Sequence, residues 1–465
     1  MKNFLTGLVL FSLFSLGCKK DSFIGSPDAL VTLSTDTLHF DTVFTSTGSV
    51  TQSFKIFNQN DQKLRLTSVK LMGGPASVYK INVDGTAGIN FSDIELEPGD
   101  SLYVFVSVTI NPQASHLPFL VRDSILVNYN GQERFMQLEA FGQKANFYRN
   151  RRITNDSSWN NDLPYVILDR VMVDSNVTLT INKGCRIYSH ANAPFIVNGT
   201  LKINGEAEES SRVVFKSDRL DPVYGDLPAG WPGIFFTSSA KDNVLNYAVI
   251  KNAFQGIIAE LPGRGNRPKV TLNQCIIDNV YDAGIISVAS SIKATNCLIS
   301  NCGSNIAIFA GGDYEFVHCT VASYSNFFVS HKNPVLFLSN AFEDNIFPLA
   351  ANFRNCIFYG EGGAVDNEVL VNKTGSPASS DFKVVFSNVI YKNKDEQAAA
   401  NFINGIKNVS PGFLVTDAVK RDFDFHLKPG SPAINAGMNS GINIDLAGKP
   451  RGGSSGLPDL GCFEE

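Results

Sequence analysis

A seven-residue motif, centred on a cysteine, recurs at fixed spacing in the second half of the chain. It reads NQCIIDN at 273–279, TNCLISN at 295–301 and VHCTVAS at 317–323, so successive cysteines stand 22 residues apart. The same frame continues at 354–360 and 387–393, and it appears earlier at 246–252. Such a length suits one coil of three short strands, because a strand rises about 3.3 Å per residue and stacked strands lie about 4.8 Å apart. The repeat therefore predicts a parallel β-solenoid.

Two columns of the repeat predict how the coils stack. Small apolar residues, Ala248 and Val389, replace the cysteine in two coils, so we predict that the cysteines form an inward ladder of buried free thiols. The members of this ladder are Cys275, Cys297, Cys319 and Cys356. Asparagine tolerates left-handed backbone angles and can bond its counterpart in the next coil, which predicts a sharp corner. The corner asparagines are Asn252, Asn279, Asn301 and Asn393.

Two other roles for the cysteines remain open at this level. A zinc site needs ligands that converge with tetrahedral geometry, whereas one cysteine per coil forms a line. Disulfides between neighbouring coils are compatible with the spacing of stacked Cα atoms, but they require side chains that point along the solenoid axis. Cys185, Cys302 and Cys462 lie outside the predicted ladder and receive no assignment.

The rest of the chain divides by pattern. Lys2 precedes an apolar run at 4–17 that is too short for a transmembrane helix and ends at Cys18. We predict an export signal at 1–18 and a tether at 19–29. Short alternating strands with regular turns then predict a β-sandwich at 30–143 without cysteines. A linker at 144–164, a β-helix at 165–404 and a C-terminal cap at 405–465 complete the predicted order.

The N-terminus resembles a bacterial lipoprotein signal, in which the cysteine at the cleavage site is acylated. Gly17 before Cys18 fits that pattern, whereas Leu16 and Ser15 depart from its usual order. The KKDS run at 19–22 resembles the surface-export signal of Bacteroidota lipoproteins. The resemblance implies an outer-membrane lipoprotein exposed at the cell surface, attached to the membrane only by its lipid anchor at Cys18.

Three further segments carry resemblances of fold. Residues 30–143 resemble the immunoglobulin-like domains found in Bacteroidota lipoproteins. Residues 177–218 and GWPGIFF at 230–236 resemble the right-handed parallel β-helix of the pectate-lyase-like superfamily. The tail at 422–465, with SPAINAG and DLGCFE, resembles the choice-of-anchor Q segment. Together they predict an all-β chain: a sandwich, then a right-handed parallel β-helix, then a cap. A salt-bridged cap, with calcium as the alternative, is predicted at Asp445, Arg451, Asp459 and Glu464.

The net charge and the sequence motifs argue against nucleic-acid binding and against known types of polysaccharide hydrolysis. With 39 Lys+Arg against 44 Asp+Glu, the net charge of −5 lacks the electrostatic footprint of a nucleic-acid-binding protein. The polygalacturonase signatures are absent as a set, and the outward columns one and three residues after the cysteine contain no acidic cluster. We therefore predict a monomer without a cofactor that binds glycan or extracellular matrix without catalysis.

Two loops hold the candidate site residues. The loop 216–231 combines acids, an arginine and aromatic rings, which could bind a sugar or calcium, or could merely pack as a charged loop: Asp218, Arg219, Asp221, Tyr224, Asp226 and Trp231. The loop 261–269 adds Arg264, Arg267 and Lys269, which could meet an acidic glycan. The alternative function is a calcium-assisted lyase or a hydrolase of acidic polysaccharide that uses the first loop, with Lys216 or Arg219 as base. A second alternative is a structural protein of the cell envelope.

Overall fold

The computed structural model of the chain describes residues 22–44, 51–109, 119–143, 145–220, 225–263, 265, 267–375, 381–453 and 456–465. The predicted lipidation site Cys18 lies outside these residues, as do Asp221, Tyr224 and Arg264. The chain divides into two compact units, Met1–Lys144 and Ala145–Glu465. Within the described ranges, the helices are the short 3-10 turns Gly74–Ala76 and Glu209–Ser211. The all-β prediction is confirmed. No helix in these ranges has the length and apolar character needed to cross a membrane.

The first unit is a β-sandwich, as predicted. Its described strands are β1 (Val31–Leu33), β2 (Thr37–Phe44), β3 (Gln52–Asn58), β4 (Leu64–Leu71), β5 (Tyr79–Val83), β6 (Thr86–Gly88), β7 (Asn90–Leu96), β8 (Ser101–Val108), β9 (Phe119–Tyr129) and β10 (Gln132–Gln143). They form two sheets in the orders β1-β3-β8-β5-β6 and β2-β10-β9-β4-β7. Alternate residues of β8, such as Val104 and Val106, are buried in the core that the sheets share. This alternation is the pattern from which the sandwich was predicted.

The described part of the predicted tether belongs to this unit. The Ile24 N–H donates to the Lys63 carbonyl at 2.8 Å. The Asn130 side chain donates to the carbonyls of Ile24 and Ser26 at 3.0 and 2.9 Å, and Ala29 is buried. Residues 22–29 therefore pack on the sandwich and do not form a free tether, because their backbone groups find partners there.

The second unit is a parallel β-helix. In its described residues, one strand per coil enters an eleven-stranded sheet and the other strands enter a seventeen-stranded sheet. The eleven-stranded sheet consists of β11 (Asn146–Tyr148), β14 (Tyr165–Ile167), β17 (Arg186–Ser189), β20 (Val213–Ser217), β23 (Ala248–Lys251), β26 (Ile276–Asp278), β28 (Leu298–Ser300), β30 (Thr320–Tyr324), β35 (Ile357–Glu361), β38 (Ile390–Tyr391) and β40 (Ile406–Lys407). The seventeen-stranded sheet consists of β12 (Arg151–Ile153), β13 (Ser157–Trp159), β15 (Val171–Val173), β16 (Thr178–Asn182), β18 (Phe195–Val197), β19 (Thr200–Asn204), β21 (Ile234–Phe236), β22 (Asn243–Asn246), β24 (Ile257–Glu260), β25 (Val270–Asn273), β27 (Ala283–Thr295), β29 (Ser304–Val317), β31 (Leu336–Ser339), β34 (Leu349–Arg354), β36 (Val369–Asn372), β37 (Phe382–Ser387) and β39 (Asn401–Ile403). The pair β32 (Ala341–Phe342) and β33 (Asn345–Ile346) is a small separate hairpin.

The first coil begins earlier than the sequence pattern indicates. Residues 144–164 are predicted as a linker, but they contain β11, β12 and β13, which pair in parallel with β14, β15 and β16. Trp159 stacks on Tyr165 with ring centroids 4.3 Å apart, so aromatic rings fill the core here. The repeat pattern does not identify this coil because its sequence lacks both the cysteine and the corner asparagine.

The ladder cysteines lie in one inward column. Their neighbours pair in register, Ile276 with Leu298, Leu298 with Thr320, and Thr320 with Ile357. The thiols are free and buried, and each lies within hydrogen-bond distance of a carbonyl of the preceding coil and of the carbonyl two residues earlier in its own coil. The Sγ–O distances are 3.2 Å for Cys275 to Leu245, 3.6 Å for Cys297 to Leu272, 3.7 Å for Cys319 to Ala294 and 3.5 Å for Cys356 to Phe316. Since each S–H can donate to only one of its two carbonyls, and the carbonyl of the same coil is the closer one for Cys297, Cys319 and Cys356, the column joins the coils mainly by packing.

Two of the cysteines without an assignment, Cys185 and Cys302, also lie inside the coils. Arg186 pairs with Val214, and Val213 pairs with Ala248, so Cys185 lies in the ladder column. Cys302 is buried, with its thiol donating to the Ser300 carbonyl at 3.2 Å. Burial raises the pKa of Cys185 to about 11 and also raises that of Cys302. These thiols are therefore protonated at neutral pH.

Several coils use left-handed backbone angles at two corners. Asn252, Asn279 and Asn301 have φ of 61°, 56° and 51°, and the Asn279 amide donates to Asn252 Oδ1 at 2.9 Å. Asn393 instead bonds the N–H and C=O of Val369 with its side chain. The other corner stands one residue before the ladder column, where φ lies between 50° and 55° at Gln274, Asn296, His318, Asn355 and Asn388.

The C-terminal segment runs along the flank of the β-helix. After the hairpin of β41 (Phe413–Asp417) and β42 (Asp422–Leu427), residues 431–465, here called the strap, contact the second corner of coil after coil. Side chains of that corner bond strap residues in reverse chain order: Asn388 bonds Ala436, Asn355 bonds Met438, His318 bonds Ser440, Asn296 bonds Ile444 and Arg212 bonds Leu446. The prediction placed this segment over the last coil. It lies along the flank because the outward column of Leu298, Ile357 and Ile390 is apolar and needs a cover.

The predicted cap residues hold the strap together. Arg451 and Glu464 form an ion pair at 3.1 Å with side chains 2% and 5% exposed. Asp445 accepts from the backbone N–H groups of Lys449 at 2.8 Å and of Glu464 at 2.9 Å, and Asp459 accepts from Asn435 N–H at 2.7 Å. Of the four residues, two form the ion pair and the two aspartates satisfy backbone donors.

Candidate binding groove

A groove of about 1090 Å³ crosses the seventeen-stranded sheet where β27, β29, β34 and β37 stack. Strand alternation turns the residues beside the buried Ile292 and Tyr314 outward, and these form the groove floor. One outward column contains Lys293, Glu315 and Asn352, and the other contains Ser291, Asp313, Ala350 and Lys383. The described rim residues are Leu261, Pro262, Gly265, Arg267 and Pro268 on one segment and Phe347 and Pro348 on another.

Glu315 is the most constrained side chain of the floor. Its Oε2 lies 2.7 Å from Lys293 Nζ, and its Oε1 accepts from Arg354 Nη2. Burial by itself would raise the pKa of Glu315, but the hydrogen bonds and charges of Lys293 and Arg354 lower it below the usual value. The side chain is therefore a fixed, ionised acceptor.

Asp313 and Lys383 are exposed on the neighbouring column. Asp313 and Glu315 are two residues apart on β29, so their Cα atoms are about 7 Å apart. The floor thus offers donors and acceptors of both charges within one open groove, beside the apolar rim residues Leu261, Pro262, Phe347 and Pro348.

Lys269 anchors the loop 261–268. It is fully buried, and its ammonium group donates to the carbonyls of Thr237 at 2.8 Å and Ser238 at 3.1 Å, and to the Glu260 carbonyl. Burial lowers its pKa to about 8. The prediction that Lys269 could meet an acidic glycan is therefore wrong, because its donors are used inside the protein. Arg267 remains on the rim, with Nη1 3.5 Å from Asp242 Oδ1 and a largely exposed side chain.

The described acids of the loop 216–231 lie in different environments. Asp218 Oδ2 is 2.8 Å from His190 Nδ1, and burial raises the pKa of Asp218 against the opposing effect of that histidine. Asp226 lines a separate cavity of about 110 Å³, and its carbonyl accepts from Asn279 at 2.9 Å and Arg421 at 3.1 Å. Within the described ranges, no group of three His, Cys, Asp or Glu side chains could hold a metal ion.

The other described candidates of that loop serve the fold. Trp231 is fully buried, and its indole N–H donates to the Lys251 carbonyl at 2.8 Å. The prediction of Trp231 as a ligand platform is wrong, because its ring fills the solenoid core beside Phe215. The Arg219 backbone N–H donates to Ser217 Oγ at 3.2 Å. Among the described residues of this loop, Trp231 packs into the core, Asp218 and Arg219 are partly buried, and Asp226 is exposed.

The Asp226 cavity contains a lysine–aspartate pair. Lys251 Nζ is 3.1 Å from Asp278 Oδ2, and Ser300 Oγ donates to Asp278 Oδ1 at 2.7 Å. The charge of Asp278 raises the pKa of Lys251, whereas burial lowers the pKa of Lys216 on the preceding coil. The cavity is smaller than a typical ligand site, so these groups mainly satisfy one another.

Sequence reasoning missed the groove because it searched for functional residues only in the outward columns one and three residues after the cysteine. The informative column stands four residues before it: Thr271, Lys293, Glu315, Asn352 and Val385. A lysine, a glutamate and an asparagine at equivalent positions of three successive repeats are a polar stripe across the sheet. That signal was present, but the loops that turn it into a groove are outside the repeat.

Comparisons with known proteins assign no family to the chain. No family model matches it, and no curated protein matches it. Among solved structures, a family 123 glycoside hydrolase from Clostridium perfringens aligns at 10% identity over 27% of this chain and 26% of its own, with a TM-score of 0.18. The periplasmic chaperone SfaE aligns at 8% identity over 24% and 56%, with a TM-score of 0.17. The PapD-like domain of human CEP192 aligns at 9% identity over 28% and 94%, with a TM-score of 0.18. Similarity at this level supports no inference about function.

Proposed function

We propose that this protein is a cell-surface lipoprotein whose β-helix binds glycan without turning it over. The observation that carries the proposal is the groove of about 1090 Å³ that crosses four successive coils. Its volume exceeds that of most small-molecule sites, and its direction follows the stacking of the coils. An extended oligosaccharide suits such a groove better than a single small molecule does.

The chemistry of the groove matches that of a sugar chain. Asp313, Asn352 and Lys383 present acceptors and donors to hydroxyl or carboxylate groups, and the proline-containing rims present apolar surface to C–H faces. Glu315 favours binding over acid catalysis, because a carboxylate held ionised by two cations is a poor proton donor.

The surface location rests on the N-terminal resemblance. In this proposal Cys18 carries the acyl chains, the sandwich is an immunoglobulin-like spacer, and the β-helix and strap belong to the pectate-lyase-like and choice-of-anchor Q types. Labelling with [3H]palmitate should require Cys18, and surface proteolysis of whole cells should cleave the protein. Membrane attachment of a Cys18→Ala variant would contradict the anchor.

A glycan array followed by affinity electrophoresis tests the binding function. Lys383→Ala and Asp313→Ala should each weaken binding about 3- to 10-fold, the value of one or two polar contacts. Lys202→Ala, an exposed lysine on another part of the same β-helix, is the matched control and should leave binding unchanged. Unchanged glycan affinity in both Lys383→Ala and Asp313→Ala would refute the groove as the binding site.

A lyase assay at 235 nm on uronic-acid polymers, with and without calcium, tests the enzymatic alternative. The proposal expects no turnover from the wild-type chain. Turnover that is abolished by Asp218→Ala or Asp226→Ala would replace the binding function with the polysaccharide lyase. If neither glycan binding nor turnover occurs, a structural role in the envelope is favoured.

A further inference from the structure

Two solvent-exposed aromatic rings, those of Phe254 and Tyr281, stack on each other near the asparagine corner. Phe254 and Tyr281 are 44% and 53% exposed, and their ring centroids are 5.8 Å apart with planes inclined by 24°. They occupy equivalent positions of successive coils, since Tyr281 N–H donates to the Ala253 carbonyl and Asp282 N–H donates to the Phe254 carbonyl. Two adjacent exposed rings form a contiguous apolar surface that is open to a ligand.

The outer face of Tyr281 is open because the next coil has glycine at the same position. Gly303 N–H donates to the Val280 carbonyl at 3.1 Å, which aligns Gly303 with Tyr281. A Cβ atom at Gly303 would lie 2.3 Å from the Tyr281 carbonyl oxygen, so no side chain fits there. Since Phe254 covers one face of the Tyr281 ring, the other face points toward the bare backbone of Gly303.

Polar groups stand at the edges of this slot. Asp282 Oδ2 accepts from Gln255 Nε2 at 2.7 Å, and Asn333 Nδ2 donates to the Gly303 carbonyl at 3.1 Å. A flat apolar face with a carboxylate and an amide at its edge fits a pyranose ring, which has a C–H face and a periphery of hydroxyl groups.

We propose that the slot between Tyr281 and Gly303 binds one pyranose residue, stacked on Tyr281 and bonded at its edge by Asp282 and Asn333. The proposal rests on the proposed glycan-binding function and adds a second subsite to it. One strand joins the two sites: β27 begins directly after Asp282, and its residues 291–293 line the groove. The slot therefore selects sugars with an unobstructed C–H face.

The test uses the full chain with hexasaccharides from cellulose, mannan, xylan and polygalacturonate, measured by isothermal titration calorimetry. Tyr281→Ala should lower the affinity of the hexasaccharide that binds about 3- to 10-fold, the value of an aromatic stacking contact. Tyr281→Phe keeps the ring and should retain most of the affinity. Phe327→Ala removes a ring that is 92% exposed outside the slot and should change nothing.

The outcomes separate the slot from the groove. Loss of affinity in Tyr281→Ala together with unchanged affinity in Lys383→Ala would support the slot and refute the groove. The reverse result would overturn the slot and leave the proposed function standing. Saturation-transfer NMR adds a second readout: irradiation of aromatic protons should saturate sugar C–H protons in the wild type and in Tyr281→Phe, and more weakly in Tyr281→Ala. Absence of binding by all four hexasaccharides would overturn both proposals.

Discussion

His318 should make the β-helix unit sensitive to acid. Its Nδ1 lies 3.2 Å from the Asp459 carbonyl, and its Nε2 accepts from the Asn355 amide at 2.9 Å. With its proton on Nδ1, the neutral ring donates to that carbonyl and accepts at Nε2, where Ser440 Oγ also lies at 2.9 Å, whereas a second proton on Nε2 would face the Asn355 donor. Burial, followed by the charge of Arg451, lowers the pKa of His318 to about 3. The strap thus depends on an uncharged imidazole.

The sign and size follow from proton linkage. In the unfolded chain the histidine has its ordinary pKa of about 6.5, so between about pH 6.5 and pH 3 the unfolded state binds a proton that the folded state does not. Stability is therefore complete above about pH 6.5 and falls as the pH decreases. At about pH 5 the expected loss from this group is ~2 kcal/mol relative to about pH 8.

Denaturant unfolding at these two pH values measures the effect. Trp159 and Trp231 both belong to the second unit, so tryptophan fluorescence reports that unit alone. His318→Asn installs the residue found at Asn296 and Asn355 in the same corner and should remove ~2 kcal/mol of the pH dependence. His426→Asn, which changes a half-exposed histidine, is the control and should retain it. Equal pH dependence in the wild type and in His318→Asn would refute the reasoning.

Three further predictions concern buried groups. Cys275→Ala should cost about 1–2 kcal/mol, the loss of one small buried side chain, and the folded chain should resist thiol alkylation until denatured; a large loss that metal restores would contradict the ladder. Lys269→Met should lower the free energy of unfolding by about 1–3 kcal/mol, because it leaves buried carbonyls unpaired, and an unchanged free energy of unfolding would argue against the anchor. Arg451→Ala should cost about 3–5 kcal/mol by leaving Glu464 as an unpaired buried charge, whereas Arg451→Met with Glu464→Leu should cost less; equal losses would argue against the pair.

The geometry of the coils could be predicted because it depends on a pattern of core-facing residues that repeats along the sequence. Side chains that face the core recur once per coil, so the column of Cys275 and the corner of Asn279 are visible as a period of 22 residues. The sandwich is similarly visible in the alternation of strands such as β8. Part of the groove could be predicted, since Lys293 and Glu315 stand at equivalent positions of the repeat. That these residues form the floor of a groove depends on the rims, which lie outside the repeat.

What lies outside the repeat was decided by the tertiary structure. The first coil, β11–β13, carries none of the repeat's diagnostic residues, so only strand pairing assigns that coil to the solenoid, and only strand pairing assigns Cys185 to the ladder. The sequence by itself determined which residues face inward, because burial alternates along a strand with a local period. Which segment covers an outward column, as the strap covers Leu298, depends on contacts between residues more than a hundred positions apart, and no local period records them.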